Sequence, residues 1–322
     1  MAFVKPEKFR EGIKILAYGE SGSGKTPFVL SFPELALIDA DSSSNFYKNE
    51  NPNIVVMTNS ASVKEITEEL EELENEDNFE QIQSLGVDSI SRLYENLQHA
   101  ALKVVEKRAR ANGRAIESEG LSVKEWGVIK LHYDRFNSKL HYYSKLGKNV
   151  IVVAEGKDEK EALKQADGTV TYVVKGQTYN SQKGAEFDFD IVLEFIRDGK
   201  GGSIARVIKD RTNTFNPDDK IEMANYSHWK ETIEKAQIGK QRVKEEIKSL
   251  DHDINKDVEN FNTADSIENK INKLVEEMKI IYKEKLSKGI DKIELNKITG
   301  KGNYKTVEEV EEILKRLKKL KK

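Results

Sequence analysis

Within this 322-residue chain, the residues whose types and spacing point most directly to chemistry are Gly19-Glu20-Ser21-Gly22-Ser23-Gly24-Lys25-Thr26. The run follows the G-x-x-x-x-G-K-[ST] pattern of a loop that cradles phosphate. Glycines at these positions let backbone N–H groups converge on phosphate oxygens with no Cβ in the way. A helix opening at Lys25 adds partial positive charge at the same place. The Lys25 amine is then expected to reach the β- and γ-phosphates, and the Thr26 hydroxyl to coordinate Mg²⁺. The flanks supply the strand–loop–helix setting that the motif requires. Ile13 to Tyr18 reads as a buried strand, and Phe28, Val29, Leu30 and Phe32 as a short helix packed on a sheet. Pro27 falls in the first helical turn, where its missing N–H costs nothing. A Gly-rich structural turn is the competing reading, and these flanks weigh against it. The expectation is a site for a nucleoside triphosphate, ATP with Mg²⁺.

Acids at strand ends come next. Leu35 to Asp41 is an apolar run ending in carboxylates. Asp41 there either polarises a water for attack on the γ-phosphate or simply caps the strand. Leu85-Gly86-Val87-Asp88-Ser89 is a strand ending in Asp, the Walker B arrangement, and Asp88 is the expected Mg²⁺ partner. Gly86 stands where a bulky aliphatic is usual and is expected to mark close approach of another backbone. Asn149 to Ala154 is a buried strand that delivers Glu155 to a position able to sense the γ-phosphate. Ile191–Arg197 and Ile204–Lys209 flank Asp198-Gly199-Lys200-Gly201-Gly202, which predicts a β-hairpin at the sheet edge. That hairpin presents Lys209 and Arg211 on one side. They stabilise charge on a transferring phosphate, within one subunit or across an interface, or they are surface charges. Lys103, Lys107, Arg108, Arg110 and Arg114 cluster at the end of a helix over 92–110. They track a nucleic-acid backbone, or they face the negative end of their own helix.

These residues need elements to position them. Ser62 and Glu65 form a candidate capping box for a helix through Leu73. Ile129, Tyr133, Phe136, Leu140 and Tyr143 make the core stripe of a helix over 126–146. The polar stretch 157–186, with Gly168, Gly176 and Gly184, reads as an irregular functional loop. Beyond it, Val243, Ile247, Leu250, Ile254, Val258 and Phe261 step by three and four, and Ile267 to Ile281 repeat the pattern. A break at Asn262-Thr263-Ala264-Asp265 then predicts two antiparallel helices or a short coiled coil. Residues 286–304 read as a polar connection. Thr306 and Glu309 cap a last helix, which ends in the basic run 315–322.

Composition sets the bounds. With 34% charged residues, a net charge of −3 and a mean hydropathy of −0.65, the chain reads as soluble. It carries no whole-chain nucleic-acid signature, so any DNA contact rests on local patches. The absence of cysteine excludes disulfides, thiol catalysis and Cys-based zinc sites, and fits a reducing, cytoplasmic location. Met-Ala-Phe-Val-Lys-Pro is not a signal sequence, and no apolar run reaches membrane-spanning length. The five histidines show no metal-ligand spacing.

The order GESGSGKT, LALIDAD, SLGVDS, NVIVVAE, ARVIKDR resembles the RecA-like ATPases. It is most similar to a small phage-encoded group associated with recombination and single-strand annealing, and more distantly to RadA and KaiC. The resemblance covers residues 10 to 235. It implies an α/β RecA-like P-loop NTPase core with a mainly parallel sheet and an edge β-hairpin (residues 1–236), followed by a helical C-terminal module (237–322). It implies that Asp41 activates water, one methylene shorter than the usual Glu, and that Asp88 is the Walker B acid. Glu155 takes the sensor position, where an ionised carboxylate cannot donate a hydrogen bond as the usual Gln or His would. Lys209 and Arg211 match a Lys-x-Arg pair that reaches the neighbouring subunit's nucleotide in a ring or filament. The function implied is a Mg²⁺-dependent ATPase assembling on single-stranded DNA, with a single-stranded-DNA-binding protein as a further partner. The alternatives are a loader ATPase working on a protein partner and a small-molecule phosphotransferase.

Overall fold

The computed structural model describes residues 7–47, 51–115, 120–165, 169–300, 302, 304 and 306–320. The N-terminal hexapeptide, Gly168, Lys321 and Lys322 lie outside them. The chain divides into two compact units, Met1–Ser249 and Leu250–Lys322, so residues 237–249 join the first unit rather than the helical module.

The first unit is built on a nine-stranded, mostly parallel sheet. In chain order the strands are β1 (Lys14–Gly19), β2 (Leu35–Asp39), β3 (Ile54–Thr58), β4 (Ser84–Asp88), β5 (Asn149–Lys164), β6 (Val170–Tyr179), β7 (Ile191–Arg197), β8 (Ser203–Asp210) and β9 (Lys220–Glu222). Their spatial order is β3-β2-β4-β5-β1-β7-β8-β9, with β6 paired only to β5. Pairings from β3 through β7 are parallel. The β7–β8 hairpin and β9 add an antiparallel edge.

Period-2 alternation explains why the central strands read as continuous apolar runs: both faces are covered. Leu16 and Tyr18 of β1, with Val150, Val152 and Ala154 of β5, face a core shared with α2 (Val63–Leu73), α3 (Ile90–Ala111) and α4 (Val123–Lys145). Ile15, Ala17, Ile151 and Val153 face the other core, with α1 (Lys25–Leu30) and α5 (Lys230–Ala236). There Phe28 packs edge to face with the fully buried Trp229 and at a tilt against Phe195. The tighter-than-usual α1–β4 contact explains Gly86. A Cβ there would lie 2.7 Å from Val29 Cγ1 and 3.1 Å from Leu35 Cδ1. Side chains, not another backbone, approach it.

Local signals at helix starts hold in part. Ser62 Oγ accepts from the Glu65 N–H, while the Glu65 carboxylate turns to Ser60 Oγ instead of closing the box. Residues 157–164 and 170–179 are strand rather than irregular loop. β5 runs on past the sheet and pairs with β6 from Gly156↔Tyr179 to Lys164↔Val170, forming an antiparallel ribbon. β-branched Val170, Thr171, Val173 and Val174 with Tyr172 favour strand, a preference that the surrounding charges mask in the sequence.

The second unit contains α6 (Leu250–Ser287), α7 (Lys292–Thr299) and α8 (Val307–Lys319). α6 is one continuous helix, so the expected break at residues 262–265 is absent. Asn, Thr and Asp are weak helix formers, but only Gly or Pro disfavours a helix interior strongly enough to stop it. α7 occupies part of the expected polar connection. Met278, Ile290, Leu295, Val310, Leu314 and Leu317 form this unit's own core. Thr306 Oγ1 accepts from the Glu309 N–H, as its spacing predicts.

Candidate functional site

The loop 19–26 leaves the carboxyl end of β1, between β5 and β7. Gly22 (φ 72°) and Gly24 (φ 98°) occupy left-handed conformations that favour glycine. The hairpin β7–β8 presses on this loop. Arg197 donates to the Ser21 carbonyl, Ser203 Oγ donates to the Ser23 carbonyl at 2.6 Å, and a Cβ on Gly24 would collide with Ser203. Lys25 Nζ donates to the carbonyls of Gly19 (2.9 Å) and Glu20 (2.6 Å). Burial lowers its pKa, partly opposed by the nearby carboxylates of Asp88, Glu155 and Asp41.

Asp88 ends β4 and is buried. Its Oδ2 accepts from Thr26 Oγ1 at 2.7 Å and from Ser43 Oγ at 2.9 Å. Burial, as the largest cause, pushes its pKa up to about 6 against these two hydrogen bonds. Three hard oxygens thus converge beside the loop lysine. Mg²⁺ fits this donor set, because it binds through one or two protein oxygens plus phosphate and water. Among the described residues no group of three His, Cys, Asp or Glu offers an all-protein metal site. A cleft of ≈540 Å³ opens from the loop, lined by Lys25, Thr26, Ser43, Tyr47, Ser203 and Asn225 among others. That size suits a nucleotide.

The other predicted residues separate into groups. β2 ends at Asp39, whose buried carboxylate accepts from Ser44 N–H and Oγ. Asp41 lies two residues beyond, exposed, accepting from the Ser43 N–H. It is therefore a loop acid near Lys25, and the strand-end capping reading belongs to Asp39. Glu155 lies opposite Gly19 in the β1–β5 register, with an exposed side chain and its N–H donated to Ser91 Oγ. Next to it, Gln177 of β6 donates from Nε2 to Glu20 Oε1 at 3.0 Å, tying the ribbon's base to the loop.

Lys209 and Arg211 are not beside their own chain's phosphate loop. β7 runs parallel to β1, with Ile191 opposite Ile15 and Phe195 opposite Gly19. β8 returns antiparallel, so Asp210 lies opposite Ile191 at the far end of the sheet. The separation is about four strand residues, roughly 13 Å. There Lys209 Nζ donates to the carbonyls of Glu186 (2.7 Å) and Phe189 (2.5 Å), and Arg211 lies 3.9 Å from Asp190. Spacing along one strand showed that the pair shares a side, but only the pairing direction reveals which end. Lys103, Lys107, Arg108, Arg110 and Arg114 are exposed at the end of α3, where Arg108 pairs with Glu125 at 2.9 Å.

Sequence reasoning missed Ser43, Asp39, Arg197, Ser203 and Gln177. For Ser43 and Asp39 a signal existed, an acid-and-serine run Asp39-Ala40-Asp41-Ser42-Ser43-Ser44 directly after a strand. The others arrive from strands distant in sequence.

No curated protein matches the chain. A family model described as AAA domain matches residues 11–222, the stretch from the start of β1 to the end of β9. The chain belongs to the AAA domain family of P-loop ATPases.

Proposed function

We propose that this chain is a Mg²⁺-dependent ATPase of RecA-like type, acting in phage DNA recombination, single-strand annealing or replication. The observation that carries the ATPase reading is the meeting of Thr26, Ser43 and Asp88 oxygens next to Lys25. Residues 19–26 hold the phosphate chain, and Thr26 and Asp88 hold the metal. When bound, Mg²⁺ neutralises charge on the β- and γ-phosphate oxygens. Asp41, exposed and near Lys25, orients the attacking water, and Glu155 is the second acid available for that role.

The DNA reading draws on the order of motifs shared with the recombination group and on the exposed cations ending α3. ATP binding then controls assembly of a ring or filament on single-stranded DNA, with a single-stranded-DNA-binding protein as a further partner. In such an assembly Arg211, with a side chain 55% exposed, is the group available to a neighbouring subunit. The first unit carries nucleotide chemistry and the helical unit, Leu250–Lys322, carries partner contacts. A loader acting on a protein partner is the second reading. It draws on the apolar surface of the ribbon, where Tyr172, Val173 and Val174 are exposed.

The test is ATP hydrolysis with and without single-stranded DNA across a salt series. Stimulation that fades with salt is expected, since phosphate contacts release counterions. Turnover indifferent to DNA favours the loader, and no turnover removes the ATPase reading.

A further inference from the structure

We propose that Arg197 is a second phosphate-binding cation, contributed to the site by the same chain that supplies Lys25; this rests on the ATPase reading above. Phe195 lies opposite Gly19 in the β1–β7 register, and Arg197 follows two residues later on the same side of the strand. Phe195 packs on Phe28 of α1, with ring centroids 5.3 Å apart. Arg197 therefore overhangs the phosphate loop instead of turning to the opposite face. A Cβ on Gly22 would lie 2.9 Å from its guanidinium.

Among the described residues the guanidinium meets the Ser21 carbonyl as its hydrogen-bond acceptor, and no carboxylate pairs with it. The adjacent Asp198 is engaged elsewhere, accepting from the N–H groups of Lys200 and Gly202 at 2.7 Å each. Lys25 is held in the same manner, on the carbonyls of Gly19 and Glu20. Two cations are thus kept on three successive carbonyls of one loop, close enough that the Arg197 charge acts on Lys25. Neutral carbonyls are weak partners for a guanidinium, whose planar fork matches phosphate oxygens. A triphosphate in the loop neutralises both cations and offers Arg197 a stronger acceptor.

A purely structural clamp does not account for the residue type. Ser203, paired with Arg197 across the hairpin, already fastens the loop through the Ser23 carbonyl with a neutral hydroxyl. In hydrolysis, a water oxygen bonds to the γ-phosphorus as the bond to the β–γ bridging oxygen breaks. The electron pair stays with the β-phosphate of ADP, and the water's proton passes to the inorganic phosphate or to solvent. Arg197 offsets the negative charge that gathers on the bridging and γ oxygens.

The test compares the wild-type chain with Arg197→Ala and Arg197→Lys, each first shown to be folded by thermal unfolding. Expected for Arg197→Ala are turnover lower by about a hundredfold or more, ADP affinity within about threefold, and loss of tight binding to ADP–aluminium fluoride, with partial recovery in Arg197→Lys. Turnover and ADP–aluminium fluoride affinity within about threefold of wild type would overturn the proposal. Recovery on mixing Arg197→Ala with Lys25→Ala chains would also overturn it, because the cation would then come from a neighbour. If the wild type itself turns over no ATP, the ATPase reading fails separately. The affinity ratio of a non-hydrolysable ATP analogue to ADP then decides: a drop of about tenfold in Arg197→Ala supports the proposal, and an unchanged ratio sinks it.

Discussion

At the scale of single residues, the site stores a charge that is unfavourable until a cation joins it. The Asp88 carboxyl, raised from 3.8 to about 6 chiefly by burial, is harder to ionise in the folded chain than in the unfolded one. A folded-state value above the unfolded one means that this group opposes folding increasingly as pH rises from about 4 through about 6. Asp88→Asn should therefore stabilise the ligand-free protein at pH 7.5 by about 1–3 kcal/mol, read by urea unfolding, while abolishing Mg²⁺-dependent turnover. For the wild type, Mg²⁺ affinity should fall as pH drops below about 6, because a protonated carboxyl is a poor ligand; a flat titration from pH 7.5 to 5 would contradict this. Lys25→Ala removes the phosphate-binding cation, and ATP turnover should drop to background in a phosphate-release assay.

Elements decide what the residues can reach. α1 packs so closely on β4 that Gly86→Val, which places methyls against Val29 and Leu35, should cost about 1–3 kcal/mol through overpacking. Thermal unfolding would show it as a lowered midpoint. The β5–β6 ribbon behaves oppositely. None of its described residues from 157 to 178 is buried, so replacing 160–175 by a two-residue turn should leave the midpoint within about 2 °C. Basal turnover should persist, since Gln177 and its link to Glu20 remain. Loss of stimulation by DNA or by a partner would then identify the ribbon as the receiving surface.

At the scale of the whole molecule, each unit has its own apolar core. A chain ending at Ser249 should fold and bind ATP, because every residue assigned to nucleotide chemistry lies before it. Trp126 and Trp229 both fall in this part, so denaturant unfolding followed by tryptophan fluorescence should superimpose on that of the full chain. A truncated chain that binds no nucleotide would show instead that the helical unit completes the site.

The sequence by itself determined the elements whose signals are local. The glycine and lysine spacing at 19–26, the buried runs of β1, β4 and β5, the acid closing β4 and the caps at Ser62 and Thr306 all express interactions within a few residues, which side-chain type and periodicity encode. The helix over 262–265 and the strand over 170–179 were harder to read. In both, weak local preferences compete, and pairing or helix continuation tips the balance. Only the tertiary structure decided which ends of the strands share a site. Pairing direction sends Lys209 and Arg211 away from their own loop and brings Arg197, Ser203 and Gln177 to it. Those contacts join positions 157 to 180 residues apart. Local residue preferences do not encode such a contact, because it is set by the order in which strands pack to bury both faces of the sheet.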